Sequence, residues 1–394
     1  MVRLQMRRII NYRSPWKFTS TRDLRHNLTN MEPQITPNTF CTYTALPKDA
    51  TTTVFFISGN PGLIGYYHPF LSLLGQYLAN SRDQSSTRNG LKKIDSSIQI
   101  YGCSLGGFEV SPATTTGNAL RDGRSKLYDL EDQIVFVHDN LNTLMRQNAS
   151  SANDTSTSTA RRKVILMGHS VGAYIAMEVL RRHREANPES QPDNRYTVDF
   201  DIIGGVMLFP TVKDIAHSPS GQKLTTLLSL IPHLALVVSF FARILTTILP
   251  TSALKALVKL VMHNPPAHAL DATTSFLKSA GGVRQALHMA ADEMRTITSD
   301  KWTDDVWGVA HAREPLTRLF FYFGRNDHWV AEKTRDEIVA VRGGKNGDEE
   351  GEGLGPRMFV CEEGLPHAFC LKHSDVMARK VAGMIREIGN ASGR

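Results

Sequence analysis

Between residues 215 and 270 the chain carries no aspartate or glutamate, although it has 38 acids in 394 residues. Such a stretch is hard to explain if it only faces water, and inside it residues 227–242 are apolar apart from Ser229, His233 and Ser239. The segment also lacks the unbroken run of about 18 or more apolar residues that a spanning helix needs, because Pro232, His233 and Arg243 interrupt residues 227–249. A single membrane span is therefore not expected. Two readings are left: a helix buried in an internal lid, or a hairpin or interfacial helix that enters lipid and returns, with Lys255, Lys259 and His263 reaching toward headgroups.

Other absences narrow the class further. The four cysteines, Cys41, Cys103, Cys361 and Cys370, are widely spaced and lack the pairs that ligate zinc, so buried thiols in a reducing compartment are expected rather than a disulfide framework. The first 30 residues have no apolar core, so a secretory signal is not expected in them, and the sequons at Asn27, Asn148, Asn153 and Asn390 are not expected to be glycosylated. Those residues hold seven Arg or Lys and one Asp, which accounts for most of the net charge of +7. The rest of the chain is nearly neutral and has no basic stripe interleaved with aromatics, which gives no support to a nucleic-acid partner. The Arg-rich, acid-poor start is shared by mitochondrial transit peptides, by disordered basic extensions, and by chains whose true start is a later methionine, here Met31.

What is present is a succession of short apolar runs and helical patterns. Strands are expected at residues 52–58, 98–103, 163–167, 202–210, 319–323 and 357–361, and helices at 67–78, 126–146, 173–180 and 374–388. The alternation of strand and helix on both sides of the acid-free segment predicts an α/β class chain with one doubly wound, mostly parallel sheet. The organisation expected is a basic, disordered extension at 1–35 and an α/β domain at 36–394 with a hydrophobic helical lid inserted at about 211–315.

The chain is organised around residues 162–180, which read as a buried strand, a corner and a helix. Ser170 falls at the corner between Gly168 and Gly172, the G-x-S-x-G pattern that pushes a serine out of a strained strand-to-helix turn. Alone, the pattern also fits a serine that only caps a helix; the strand before it and the helix after it favour a nucleophile. A serine hydroxyl needs a base to take its proton and a third group to fix that base. Asp327 follows the 319–323 strand and His367 follows the 357–361 strand, giving the order Ser, acid, His; His328 and His373 are the substitutes. Oxyanion donors are expected from the N–H of Val171 and from the Gly59-Asn60-Pro61-Gly62 turn, where the N–H of Asn60 is the candidate because Pro61 has none. No metal or organic cofactor is required by this set.

With these residues in hand, the chain resembles the lipid droplet-associated hydrolase family, a branch of the α/β-hydrolases. The stretches that carry the resemblance are Ile57-Ser58-Gly59-Asn60-Pro61-Gly62 with Tyr66, Tyr67 and Phe70, Gly168-His169-Ser170-Val171-Gly172-Ala173, Leu208-Phe209-Pro210-Thr211 with Ser218, Pro219 and Gly221, the Asp327 turn, and His367-Ala368-Phe369. Together they cover residues 54–388. The resemblance implies an α/β-hydrolase fold and a serine esterase acting on lipid esters, sterol esters or acylglycerols, at the surface of lipid droplets and the cytosolic face of the endoplasmic reticulum. It departs from the family in the basic first 30 residues and in polar inserts at 81–97, 184–195 and 343–356. Two rivals are kept: an acyltransferase using the same acyl-enzyme, and a droplet-coating lipid-binding protein with a weak site.

Overall fold

The computed structural model describes residues 33–42, 52–80, 98–110, 126–150, 161–185, 200–231, 233–309, 317–343 and 355–392. The basic start, residues 81–97, Pro232 and most of the other two polar inserts lie outside the described residues. Among the described residues eight strands form one sheet: β1 (Gln34–Ile35), β2 (Thr39–Cys41), β3 (Thr52–Ile57), β4 (Ile98–Cys103), β5 (Arg162–His169), β6 (Phe200–Leu208), β7 (Arg318–Phe323) and β8 (Arg357–Val360). Their order is β1-β2-β4-β3-β5-β6-β7-β8, with β1 and β2 antiparallel at one edge and β4 to β8 parallel to β3. The sequence pattern locates all six parallel strands to within two residues at most boundaries, and misses β1 and β2, which are too short to show a period.

The parallel strands are apolar on both faces because both are covered. Val54, Phe56, Ile165, Met167, Phe320 and Tyr322 point to one core, packed by α1 (His68–Asn80) and α10 (Ser374–Ala391). Phe55, Ile57, Val164, Leu166, Leu319 and Phe321 point to the other, packed by α2 (Leu130–Ser150) and α3 (Val171–Glu185). Successive residues thus serve opposite cores, the period of a pleated strand. The helix expected from residue 126 starts at Leu130, because the Asp129 carboxylate accepts the Asp132 N–H at 2.8 Å and caps it there. It also runs into the expected polar linker, ending at Ser150.

Between β6 and β7 lie five helices: α4 (Pro219–Leu230), α5 (Leu234–Ile248), α6 (Thr251–Val261), α7 (Ala267–Lys278) and α8 (Gly282–Thr296). A ninth, α9 (Glu332–Arg342), follows β7 and escapes pattern reading because only Thr334 and Ile338 are buried on it. Among the described residues no single helix is long and apolar enough to cross a membrane; α4 and α5 pass only as a pair bent by 92°. Of the four cysteine thiols, Cys361 and Cys370 are buried while Cys41 and Cys103 are only half-buried, a correction to the expectation of four buried thiols.

The registers Ile57↔Gly168, Gly168↔Met207 and Leu208↔Tyr322 bring the carboxyl ends of β3, β5, β6 and β7 to one edge of the sheet. Loops leaving that edge therefore converge, which is where open α/β sheets place their sites.

Candidate active site

The corner after β5 is built by close packing. A Cβ on Gly168 would lie 2.3 Å from the Gly172 carbonyl oxygen, and one on Gly172 would lie 2.3 Å from that of Ile57, so the crossing of β5, α3 and β3 leaves no room for a side chain. Ser170 itself takes a left-handed conformation with φ of 56°. For a non-glycine residue this costs about 1–2 kcal/mol. Such strain persists only where the surroundings fix it. Here the Ser170 N–H donates to Leu208 O at 2.9 Å, and the Ser170 carbonyl accepts from Ala173 N at 2.9 Å and Thr211 N at 3.4 Å.

The structure brings Ser170, His367 and Asp327 into one hydrogen-bonded chain. His367 Nε2 lies 2.9 Å from Ser170 Oγ, and its Nδ1 lies 2.9 and 2.7 Å from the two Asp327 carboxylate oxygens. Asp327 is buried on the turn after β7 and also accepts the Trp329 N–H at 2.8 Å. A carboxylate accepts, so Nδ1 carries the proton and Nε2 presents its lone pair to the serine hydroxyl. The two substitutes stand elsewhere. His373 precedes α10 and His328 is exposed, and neither bonds to Ser170.

Behind this chain sits a second one whose members the sequence reading gave no role. His169 is buried, with Nε2 2.9 Å from the His367 carbonyl oxygen and Nδ1 2.8 Å from the Tyr67 hydroxyl. Burial, and then the neighbouring His367, hold its pKa well below the usual range, so the ring is neutral. The carbonyl can only accept, so Nε2 carries the single proton, Nδ1 accepts, and Tyr67 donates to it. The Tyr67 oxygen in turn accepts the Gly59 N–H at 3.3 Å. The turn after β3, the serine corner and the histidine loop are thereby tied together. Phe209, itself at φ of 46°, stacks on Phe369 at 5.7 Å and packs edge-on against both imidazoles. The signals for this tie were the aromatic pair after the Asn-Pro-Gly turn and a histidine between buried Met167 and Ser170, both of which look like ordinary core in sequence.

The turn after β3 runs beside the nucleophile: a Cβ on Gly59 would lie 2.9 Å from Ser170 Cβ. With the Gly59 N–H committed to Tyr67, the main-chain N–H of Asn60 has no protein acceptor among the described residues, and neither has that of Val171 at the first turn of α3. Two free N–H groups near one hydroxyl, one of them at a helix N-terminus, suit a negative oxygen. The Asn60 side chain instead donates to the Ala286 carbonyl at 3.0 Å and to Glu293 at 2.9 Å, both on α8. Ser58 Oγ, Asn60 Oδ1 and Thr211 Oγ1 are buried without a hydrogen-bond partner around the same corner. Among the described residues no group of three His, Cys, Asp or Glu side chains is placed to hold a metal ion. Lys255, expected to be able to reach a headgroup, is paired with Asp271 on α7 at 2.6 Å with both side chains largely exposed, and Lys259 and His263 are exposed.

A sequence profile described as lipid-droplet associated hydrolase matches residues 50–370. Curated relatives bear the name lipid droplet-associated hydrolase: the protein from Gallus gallus is 26% identical over 336 residues, covering 84% of this chain and 83% of its own length. The one from Homo sapiens is 23% identical over 334 residues, covering 85% and 84%. Among solved structures, a haloalkane dehalogenase from Bradyrhizobium elkani superposes with a TM-score of 0.51 at 12% identity, over 92% of this chain and 99% of that one. The likeness shows the α/β-hydrolase fold.

Proposed function

The chain belongs to the lipid-droplet associated hydrolase family, a family of hydrolases, and from that premise we propose that it cleaves carboxylic esters of lipids through an acyl-enzyme on Ser170. The observation that carries this reading is the 2.9 Å contact between Ser170 Oγ and His367 Nε2, with Asp327 on the far nitrogen. Ser170 Oγ attacks the ester carbonyl carbon while its proton passes to Nε2 of His367. The resulting oxyanion is held by the N–H groups of Val171 and Asn60. His367 then gives the proton to the alcohol oxygen as that C–O bond breaks, which leaves the acyl group on Ser170. Water attacks the acyl carbon with His367 again taking a proton, and returning it to Ser170 Oγ frees the acid. Asp327 stays ionised and holds the imidazole in the required tautomer.

The lid supplies the reason for lipid. On α4, α5 and α6, Leu230, Phe240, Phe241, Ile248, Leu260 and Val261 are between 62% and 75% exposed, and on α5 only Leu234 and Ser239 are buried. Exposed apolar surface of this extent on a folded chain marks a contact site. In our reading α5 and α6 lie in the droplet monolayer or the cytosolic leaflet of the endoplasmic reticulum, and sterol esters or acylglycerols reach Ser170 from there. Each helix keeps its backbone bonded internally, as an interfacial segment must.

The test is labelling of the purified protein with a fluorophosphonate, followed by a panel of lipid esters. Wild type should label and hydrolyse at least one of them, and Ser170→Ala should do neither while keeping its melting temperature. Equal labelling of both proteins would remove Ser170 from the mechanism.

A further inference from the structure

Helix α8 of the lid bonds directly to the oxyanion turn through the Asn60 side chain. Asn60 commits both protons of its amide to α8, one to the Ala286 carbonyl and one to Glu293 Oε1. Glu293 is 4% exposed and shares the core-facing stripe of α8 with Gln285 and Met289. An acid in that place is expensive, since the charge it feels is that of Asp292, of its own sign. Burial first, with a smaller push from Asp292, raises its pKa to about 8 against the lowering effect of the Asn60 hydrogen bond, so near neutral pH it mostly keeps its proton.

We propose that Glu293 is a positioning residue for the oxyanion site: by clamping the Asn60 side chain to α8 it fixes the direction of the Asn60 N–H, and so couples transition-state stabilisation to a seated lid. The inference rests on Asn60 being an oxyanion donor in the hydrolase described above. The rest of the turn is held from the sheet side, through Gly59 and Tyr67, so the α8 contacts are what fix Asn60 from the lid side. The helix does not need Glu293 to dock. Gln285 exchanges bonds with the N–H and carbonyl of Tyr128 at 2.9 and 2.8 Å, and Asp292 accepts the Leu130 N–H at 2.9 Å. Removing Glu293 therefore loosens the turn while α8 remains in place.

Full-length Glu293→Ala, Glu293→Leu and Glu293→Gln are compared with wild type on p-nitrophenyl butyrate, with active sites counted by fluorophosphonate titration. Alanine and leucine should lower kcat per titrated site by about ten- to a hundredfold, less than the loss of a whole oxyanion donor, with KM within about twofold. Glutamine keeps the oxygen to which the Asn60 amide donates, so it should recover most of the lost rate. Leucine fills the core position and carries the test if alanine unfolds the protein. Unchanged kcat in the leucine variant, a rise in KM with kcat intact, or a glutamine variant as slow as leucine would each overturn the inference. A wild type without Ser170-dependent turnover would instead remove the hydrolase reading, and this inference with it.

Discussion

The corner at Ser170 and the helices α5 and α6 break the rules of burial in opposite directions. At the corner, His169, Asp327 and Glu293 are buried polar side chains, each satisfied by named partners. On α5 and α6, Phe240, Phe241 and Leu260 are large apolar side chains left on the surface. Neither arrangement is what maximises stability. Buried polar groups cost desolvation unless fully bonded, and exposed apolar ones forgo about 1.5–3 kcal/mol of burial each. In the proposed function the contrast separates two jobs within one chain: a platform where charge is managed, and a surface that would meet a lipid phase. The two should fail separately when each is damaged.

The largest effect expected is loss of chemistry with the lid untouched. His367→Ala should lower kcat by at least the 10²–10⁴-fold that general base catalysis contributes, roughly, and Asp327→Asn should come close to it by favouring the wrong tautomer. Both variants should still bind droplets. If Asp327→Asn turned over normally, the acid would have to lie elsewhere.

The converse damage is Val237→Asp with Phe240→Asp. Both residues are exposed on α5, so the fold should tolerate the change, whereas in lipid each charge costs about 2.5–3.5 kcal/mol if deep. In oleate-fed cells a fluorescent fusion of this double variant should leave droplets for the cytosol while its kcat on p-nitrophenyl butyrate stays within about twofold of wild type. Retention on droplets, or aggregation, would return α5 to the status of an internal lid helix.

The smallest effect concerns the contact between the two regions. Burial first, then Asp292, raise the Glu293 pKa from 4.5 to about 8, so between those values the unfolded chain has released a proton that the folded one keeps. Stability contributed by this residue therefore falls as pH rises through that window, by up to about 1.4 kcal/mol per pH unit. Glu293→Gln has no such proton. Its melting temperature relative to wild type should be higher at pH 7.5 than at pH 5, and a constant difference would mean that Glu293 does not titrate as its burial implies.

Much of the platform was legible because its signals are local. The apolar run before Ser170, the flanking glycines, and an aspartate and a histidine just past two later strands all show in a few adjacent residues, and the structure places those three side chains in contact. The edge strands β1 and β2 and the helix α9 were not legible, since two or three residues carry no period and a helix with two buried positions shows no stripe. The pairing of Lys255 with Asp271 was not legible either, since Asp271 lies on the next helix, one residue beyond the acid-free segment. The tie through Tyr67 and His169 and the clamp at Glu293 depend on contacts between segments far apart in sequence, and no spacing records them. A glutamate at the i+4 position from buried Met289 was the one hint.

In the proposed reaction an ester's acyl group passes through Ser170. The direct measurement is mass spectrometry of protein acid-quenched while hydrolysing a cholesteryl or glyceryl ester. Passage through Ser170 predicts a peptide containing that residue heavier by the acyl group less one hydrogen, present in wild type and missing from Ser170→Ala. Hydrolysis of the ester with that peptide unmodified throughout turnover, or an adduct on another residue, would contradict it.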